Sequence, residues 1–452
     1  MKWLNKLKYK NYNEVRHETA LGSICHAPSK SLLFTQGGKL MSCHYNRGYV
    51  LGVYPENNIE EIINGEKLKS LQNKLQNYSF TDSCWFCQQD ISNGRYFQSG
   101  CIKYDYLSEF GKSNDIVSLE FQTDNICNLQ CIMCSGEYSS EVRKNREKGE
   151  AYISPYDDNF IKQIKPLLEE AKFLNFTGGE PFLNKNYYKI WDYLCSVNSS
   201  AQITISTNGT ILNEKILEYF QKLNFSLTIS IDTLDAENFE YIRQNASFEK
   251  VFGNINKFIE IHKNKSRLMS IKTVLMDKNI DDLPQLFEYF NNKNIQIYPK
   301  LVWAPVDLSL RYSSKERLKS IVQNIENYSF RNENDVQKFN TIRYNEIIEN
   351  LKTWHSEESF SEYDINLKLT KIQLSKKLQK IIISHISQDE IISNENRDKL
   401  LLLAEKLIND IEKSKVSQSE LAKILSFSIP LIINEFYRQD NEKFLNRLIS
   451  KI

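Results

Sequence analysis

The sequence lacks an excess of charge of either sign. Its 452 residues include 58 Lys and Arg against 57 Asp and Glu, which gives a formal net charge of +1 at pH 7. Proteins that bind polyanions without regard to sequence usually carry a strong positive charge. The balance therefore argues against a general polyanion binder, and we expect no nucleic-acid partner, although a local basic patch remains compatible with it.

The sequence also lacks a long apolar run and a secretory signal. A helix that spans a bilayer needs about 20 predominantly apolar residues, and no stretch of this chain approaches that length. The N-terminal segment MKWLNKLKYKNYNEVRH is basic, but it has no apolar core and no small-residue cleavage site. We therefore expect a cytoplasmic protein without a membrane partner.

The cysteines are unevenly distributed. They are Cys25, Cys43, Cys84, Cys87, Cys101, Cys127, Cys131, Cys134 and Cys195. In a reducing compartment, cysteines serve metal binding or catalysis more often than a disulfide framework. Cysteines that only fill a core would be scattered, whereas all but one of these precede residue 135. The distribution therefore predicts metal binding in the first third of the chain.

Three stretches of the chain differ in composition and in predicted secondary structure. Residues 1–110 are cysteine-rich and irregular, with a hairpin predicted around Gly37-Gly38 and an amphipathic helix predicted to begin after Asn58. Residues 111–305 alternate strand and helix patterns, and residues 306–452 lose the strand signal and read as a helical region.

The alternating stretch predicts an α/β fold. Strand patterns cover residues 116–122, 173–177, 202–206, 226–231, 270–276 and 295–301. Helical patterns lie between them, near 159–171, 187–197, 213–223, 248–263 and 281–292. Strict alternation predicts a parallel sheet with helices outside, open or closed into a barrel. Ligands in such folds gather at the carboxyl ends of the strands, so the loops there should carry the chemistry.

Three cysteines follow the first of these strands directly. The spacing Cys127-x3-Cys131-x2-Cys134 allows three thiolates to ligate three irons of a 4Fe–4S cluster, and no fourth cysteine lies nearby. The remaining iron would keep an open position for a ligand, as a catalytic zinc does. The alternative is three buried cysteines, or part of a zinc site.

These residues resemble the radical S-adenosylmethionine (radical SAM) signature. The resemblance continues with Gly178-Gly179-Glu180-Pro181 after the second strand, Ser206-Thr-Asn208-Gly209 after the third and Ser230-Ile-Asp232 after the fourth. It implies a partial (β/α)6 TIM barrel over residues 111–305. It also implies that the 4Fe–4S cluster binds SAM and cleaves it to a 5′-deoxyadenosyl radical.

The resemblance assigns SAM contacts to the loops. Gly178 and Gly179 would let the backbone approach SAM closely, and Glu180 would accept hydrogen bonds from its ammonium group. The ribose would meet short polar groups, which are Ser206, Asn208, Ser230 and Asp232. Arg243 would bind the carboxylate of SAM with two hydrogen bonds from its guanidinium group. Met133, in a position that is usually aromatic, would face the adenine of SAM. Alternatively, Asn208-Gly209 is a plain turn and Arg243 a solvated helix residue.

The N-terminal cysteines resemble the SPASM/twitch domain, which binds auxiliary iron–sulfur clusters in many radical SAM enzymes. Here that pattern precedes the barrel, whereas the common arrangement places it after. The resemblance implies one auxiliary 4Fe–4S cluster ligated by Cys25, Cys43, Cys84 and Cys87, with Cys101 as an alternative fourth ligand. A structural zinc in the same sulfurs is the other interpretation.

The resemblance implies an enzyme that abstracts hydrogen from its substrate. SPASM/twitch enzymes commonly modify peptides or proteins, so we expect a peptide substrate held near Trp85, Phe86 and Trp303, and an electron donor such as flavodoxin or ferredoxin. The alternatives are a dehydrogenase or epimerase of a small molecule such as a sugar, and a non-catalytic iron–sulfur or zinc scaffold.

Overall fold

The structure is a computed structural model of the 452-residue chain. It describes residues 2–110, 115–263, 268–302, 305–356, 366, 368–388, 394–426, 429–437 and 441–449. Contacts within the chain define two compact units. The first comprises Met1–Gln130, Cys134–Ile229 and Asn245–Met269, and the second comprises Cys131–Met133, Ser230–Gln244 and Ser270–Ile452. Trp303 lies outside the described residues. The three-part division at residues 110 and 305 stays a prediction.

The N-terminal part of the first unit is made of short elements. Its helices are α1 (Lys2–Lys8), α2 (Lys10–Glu14), α3 (Ala27–Lys30), α4 (Ile59–Ile63), α5 (Glu66–Gln76) and α6 (Trp85–Ser92). Short 3-10 helices cover Glu18–Gly22, Gln36–Gly38, Asp82–Cys84 and Cys101–Glu109. The long helix predicted after Asn58 is two helices, because the chain turns at Asn64 and Gly65 between α4 and α5.

Seven strands form the sheet of the first unit within the described residues. They are β1 (Ser31–Thr35), β2 (Lys39–Met41), β3 (Gly52–Val53), β4 (Ser118–Gln122), β5 (Phe173–Phe176), β6 (Gln202–Thr207) and β7 (Asn224–Ser230). Their order is β3-β2-β1-β4-β5-β6-β7. The pairs β3-β2 and β2-β1 are antiparallel. The pairs from β1-β4 to β6-β7 are parallel. The carboxyl ends of β4, β5 and β6 therefore meet at one edge.

Helices follow these parallel strands, as the sequence pattern predicts. They are α7 (Ser140–Asn145), α8 (Asp158–Glu170), α9 (Lys185–Ser196), α10 (Glu214–Lys222) and α12 (Phe248–Lys263), with a 3-10 helix at Pro181–Leu183. The aromatic rings of Phe34, Phe121 and Phe176 stack across β1, β4 and β5, with successive centroids 5.2 and 4.9 Å apart. Each of these rings is fully buried, so the hairpin of β1 and β2 shares the core of the sheet.

The second unit holds a parallel pair of strands and a helical region. Its strands are β8 (Met269–Leu275), whose first residue belongs to the first unit, and β9 (Gln296–Leu301). Its helices are α11 (Ala236–Ile242), α13 (Leu283–Asn291), α14 (Lys315–Ile325), α15 (Asp335–Ser356), α16 (Lys371–Gln388), α17 (Asn394–Lys413), α18 (Gln418–Ser426), α19 (Ile429–Phe436) and α20 (Asn441–Ile449). Its 3-10 helices cover Ile280–Asp282, Val306–Leu308 and Leu310–Tyr312.

The last five helices share one apolar core. Buried aliphatic side chains such as Leu378, Leu407 and Ile433 lie in it with Phe436 and Phe444, whose rings meet edge to face at 5.3 Å. The predicted α/β class with a parallel sheet and a helical C-terminal region is confirmed. Over the described ranges, none of the helices has the length and apolar character to cross a bilayer.

Candidate functional site

The loop after β4 holds the first cysteine of the predicted triad. The carboxylate of Asp124 accepts hydrogen bonds from the backbone N–H groups of Asn125 and Ile126, at 2.7 and 3.2 Å. The hydroxyl of Ser140, at the start of α7, accepts from the N–H of Cys127 and donates to its carbonyl, both at 3.1 Å. These contacts fix the backbone of Cys127 at the carboxyl edge of the sheet.

Cys134 belongs to the same unit, and Arg146 holds its backbone. The guanidinium of Arg146 donates to the carbonyl oxygens of Gln130 and Cys134, at 2.7 and 3.2 Å. One side chain thus binds the two residues that flank the segment 131–133. All three cysteines of the triad are partly exposed.

Cys131 and Met133 belong to the second unit. The N–H of Ile132 donates to the carbonyl of Ile242 at 2.9 Å, and a guanidinium nitrogen of Arg243 lies 4.0 Å from the sulfur of Cys131. Met133 packs against a small apolar cluster that contains Ile242. A thioether in an apolar setting suits the predicted contact with adenine, which stays a prediction.

Two glycines after β5 lie against the loop that leads to Cys127. Gly178 and Gly179 have φ angles of +84° and +56°, which non-glycine residues rarely adopt. A Cβ atom at Gly179 would stand 2.1 Å from the carbonyl oxygen of Ile126, and that oxygen accepts the N–H of Glu180 at 2.7 Å. The two glycines are required because one backbone runs directly against another.

Glu180 is fully buried, and its carboxylate joins two loops. One oxygen accepts the N–H of Phe182 at 3.1 Å and the hydroxyl of Thr207 at 2.7 Å. The other accepts the N–H of Asn208 at 2.7 Å. The contact of Glu180 with the SAM ammonium stays a prediction, and it would add to a carboxylate that already accepts hydrogen bonds from three protein donors.

Asn208 brings the loop after β6 to the first cysteine. Its side-chain amide donates to Asn128 at 3.0 Å and lies 3.9 Å from the sulfur of Cys127. Its amide oxygen accepts from the hydroxyl and N–H of Thr210, at 2.6 and 3.0 Å. The first unit thus gathers Cys127, Gly179, Glu180 and Asn208, whereas Ser206 lies half-buried near the end of β6.

Asp232 and Arg243, predicted to contact different parts of SAM, pair with each other in the second unit. The Arg243 Nε and Asp232 Oδ2 atoms are 2.8 Å apart, and the two side chains are 7% and 0% exposed. The N–H of Val274 also donates to Asp232, at 2.8 Å. Arg243 is thus buried, and its alternative interpretation as a solvated residue is wrong. Ser230 lies half-buried at the end of β7.

The N-terminal cysteines form a second group in the first unit. Five of them line one pocket, namely Cys25, Cys43, Cys84, Cys87 and Cys101. All five are buried. The four predicted ligands and the alternative ligand Cys101 therefore lie around the same pocket. Over the ranges that the structure describes, no three His, Cys, Asp or Glu side chains converge closely enough to hold a single metal ion.

The protonation of these thiols is strongly shifted. Burial raises the pKa of Cys84 to about 12, and burial together with the neighbouring thiols raises the pKa of Cys43. Hydrogen bonds to Cys25 and Cys87 raise the pKa of Cys101, and the bond from Cys101 lowers that of Cys87. A bound cationic centre would reverse the balance, because metal ligation requires thiolates. Five soft donors in one buried pocket suit an iron–sulfur cluster.

Two polar side chains beside this pocket had not been predicted. The Asn46 amide nitrogen lies 3.4 Å from the sulfur of Cys84, and the Thr81 hydroxyl lies 3.3 Å from it. Each of them stands three residues from a cysteine, Asn46 after Cys43 and Thr81 before Cys84. Short polar residues near a ligand in a turn could have signalled this role.

A buried carboxylate on β4 connects to the same region. Glu120 accepts the hydroxyl of Tyr104 at 3.0 Å, and its other oxygen lies 2.5 Å from the ring nitrogen of His44. Tyr104 also lines the cysteine pocket. Glu120 interrupts the apolar pattern of a strand buried on both faces, which is the signal that marks it in the sequence.

Comparison with known families agrees with this geometry. The model of the radical SAM superfamily matches residues 122–290, and the model of an iron–sulfur cluster-binding domain, SPASM, matches residues 25–88. The chain belongs to the radical SAM superfamily and carries an auxiliary iron–sulfur domain ahead of the radical SAM domain. The radical SAM match makes the chain an enzyme, and the two matched domains imply 4Fe–4S clusters with SAM as its cofactors.

The relatives of this chain include an uncharacterized protein and proteins named as GTP 3′,8-cyclases. The chain is 32% identical over 218 residues to the uncharacterized protein MJ0907 of Methanocaldococcus jannaschii, covering 47% of this chain and 68% of that protein. It is 28% identical over 188 residues to a probable GTP 3′,8-cyclase of Archaeoglobus fulgidus, covering 41% of this chain and 59% of the relative. With the GTP 3′,8-cyclase of Clostridium botulinum (strain Hall), it shares 29% identity over 164 residues, covering 35% and 49%. The chain thus spans about half to two thirds of the length of these curated relatives.

Two solved structures with bound S-adenosylmethionine (AdoMet) have some likeness to part of the chain. Native anSMEcpe with bound AdoMet has a TM-score of 0.36 and 20% identity, over 47% of this chain and 60% of that chain. Streptococcus suis SuiB bound to S-adenosylmethionine has a TM-score of 0.35 and 12% identity, over 56% and 61%.

Proposed function

We propose that Cys127, Cys131 and Cys134 ligate the 4Fe–4S cluster that binds SAM. The observation that carries this proposal is the network of the first unit in which Cys127, the Gly178-Gly179-Glu180 loop and Asn208 meet at the carboxyl ends of β4, β5 and β6. When bound, this cluster supplies the electron that cleaves SAM into methionine and a 5′-deoxyadenosyl radical.

The chain's own residues would orient SAM and keep its surroundings fixed. The glycine loop offers backbone groups at close range, and the buried Glu180 carboxylate adds a negative charge for the ammonium group. Asn208 and Ser206 supply polar groups for the ribose. The paired Asp232 and Arg243 would keep their charges balanced while Arg243 faces the carboxylate.

The pocket of five cysteines would hold the auxiliary 4Fe–4S cluster. We propose Cys25, Cys43, Cys84 and Cys87 as its ligands, with Cys101 as the alternative to one of them. The support is that all five thiols are buried around the same pocket, within the part of the chain that matches the SPASM model or just beyond it. Zinc in the same sulfurs is the competing assignment, and iron analysis separates the two.

We propose a peptide or protein as the substrate. The support is the chain's resemblance to SPASM/twitch enzymes, which commonly modify peptides. Of the expected contact residues, Trp85 is 6% exposed and packs edge to face with Phe86, so Trp85 fits a packing role better than a binding role. A small molecule is the second candidate, because several relatives of 25–29% identity are GTP 3′,8-cyclases.

A deuterium-transfer experiment separates the two candidates. The reduced enzyme is incubated anaerobically with SAM and with uniformly deuterated peptides, deuterated sugars or deuterated GTP, in separate reactions. Deuterium in 5′-deoxyadenosine from a peptide alone supports the proposal. Deuterium only from a sugar or only from GTP contradicts the peptide assignment and keeps the radical mechanism.

A further inference from the structure

The sulfur of Cys84 has two side-chain donors directed at it. The Thr81 hydroxyl is 3.3 Å from the sulfur and the Asn46 amide nitrogen is 3.4 Å from it, both within the reach of a hydrogen bond to sulfur. Asn46 and Thr81 are 4% and 7% exposed, so water does not compete freely for either donor. Thr81 lies three residues before Cys84, whereas Asn46 lies 38 residues away and reaches the sulfur only in the folded unit.

The direction of these hydrogen bonds is fixed by chemistry. A thiolate sulfur can only accept, so the Asn46 side chain must present its NH2 group and Thr81 must present its proton. The hydroxyl of Ser83, 3.1 Å from that of Thr81, can then donate to Thr81. The Asn46 amide oxygen is buried without a hydrogen-bond partner among the described residues. The amide thus keeps its contact with sulfur although its oxygen finds no donor.

We propose that Asn46 and Thr81 raise the reduction potential of the auxiliary cluster by donating hydrogen bonds to the sulfur of Cys84. The inference rests on the proposed function, because it requires Cys84 to ligate that cluster. Reduction places additional negative charge on a cluster and on its thiolate ligands. Hydrogen-bond donors stabilise that charge, and they do so more strongly in a buried pocket of low dielectric.

The two residues are positioning residues, since they act through a ligand. Thr81 offers a matched pair of variants: Thr81→Val keeps the shape and removes the donor, whereas Thr81→Ser keeps the donor. The carbonyl oxygen of Thr81 accepts the N–H of Cys84 at 2.8 Å, and this backbone contact is unchanged in both variants. Asn46→Leu removes the second donor at similar volume.

The test measures a potential. In the 452-residue chain, Cys127, Cys131 and Cys134 are replaced by Ala, so that reconstitution with iron and sulfide loads only the N-terminal pocket. Redox titrations followed by electron paramagnetic resonance give the midpoint potential of this parent and of each variant. We expect Thr81→Val and Asn46→Leu to shift the midpoint to more negative values, the double variant to shift it further, and Thr81→Ser to stay at the parent value.

Unchanged potentials in both Thr81→Val and Asn46→Leu, at the iron content of the parent, would overturn the inference and leave the proposed ligand set standing. A parent without cluster iron would instead show that the ligand set itself is wrong, and the inference with it. A second measurement does not depend on the midpoint potential. Pulsed electron paramagnetic resonance of the reduced parent in D2O should detect exchangeable deuterons that couple magnetically to the cluster. Loss of part of that coupling in Thr81→Val supports the inference, and a spectrum identical to the parent contradicts it.

Discussion

Replacing Gly179 with Ala should destabilise the first unit more than the same change at another glycine of positive φ. Gly179 and Gly37 have φ angles of +56° and +75°. An L-residue in this region costs about 1–2 kcal/mol of free energy at either position. At Gly37 a Cβ atom would meet nothing within 4 Å, so this conformational cost is the whole effect.

At Gly179 the new Cβ atom would also collide with backbone. It would stand 2.1 Å from the carbonyl oxygen of Ile126, and neither strand of chain can yield by rotating a side chain. Overpacking of this kind adds about 1–3 kcal/mol, so we expect a total of about 2–5 kcal/mol for Gly179→Ala against about 1–2 kcal/mol for Gly37→Ala. Because Ile126 precedes Cys127, the displacement should also weaken SAM binding.

Urea unfolding followed by fluorescence and circular dichroism measures the two free energies in the same protein. Isothermal titration with SAM, on anaerobically reconstituted protein, measures the functional effect. Equal losses of stability in the two variants, with unchanged SAM affinity in Gly179→Ala, would refute the close backbone approach on which the reasoning depends.

Three further changes test other contacts. Glu180→Gln should cost about 1–3 kcal/mol of unfolding free energy, because an NH2 group would face a buried donor. The exposed Glu170→Gln is the control, and equal urea midpoints of unfolding in the two variants would contradict the account. Arg243→Met should cost about 3–5 kcal/mol of unfolding free energy, because it leaves Asp232 buried without its partner. Adding Asp232→Asn should recover part of this loss, and no recovery in the double variant would argue against the pair. Asp157 caps α8 by accepting the N–H of Phe160 at 2.9 Å, and the hydrogen bond from Tyr54 lowers its pKa. Asp157→Ala should therefore cost about 0.5–2 kcal/mol at neutral pH. The folded pKa lies below the ordinary value, so the advantage of the unchanged protein is complete above pH 4 and should shrink as the pH falls below it; a difference that is constant down to pH 2 would contradict this.

The parallel sheet could be predicted from the sequence because its signal is local. Each predicted strand between 116 and 301 lies within two residues of an observed one, since buried apolar runs alternate with amphipathic helices. The pairing of β1 with β4 could not be predicted in this way. The pattern around Gly37-Gly38 indicates a hairpin, but it does not indicate that Leu33 and Glu120 are partners in a parallel ladder.

The candidate site likewise has features that the sequence could predict and features that it could not. Motif residues such as Gly179 and Glu180 could be located from the sequence, because their spacing after strands is characteristic. Their exact contacts could not. The donors of Glu180 include Thr207 and Asn208, 27 and 28 residues away, and the pairing of Asp232 with Arg243 depends on how the intervening helix α11 is placed. Asn46 was missed because its partner Cys84 lies 38 residues away, whereas Thr81, three residues before Cys84, could have been found from its place in a turn beside a cysteine.

The central claim is that the cluster ligated by Cys127, Cys131 and Cys134 cleaves SAM. The most direct measurement is 5′-deoxyadenosine formed anaerobically from SAM with dithionite, by the reconstituted chain and by the variant with all three cysteines replaced by Ala. We predict formation by the unchanged chain and none by the variant, although the variant keeps the iron of its N-terminal pocket. Equal formation by both proteins, or none by a fully loaded unchanged chain, would contradict the claim.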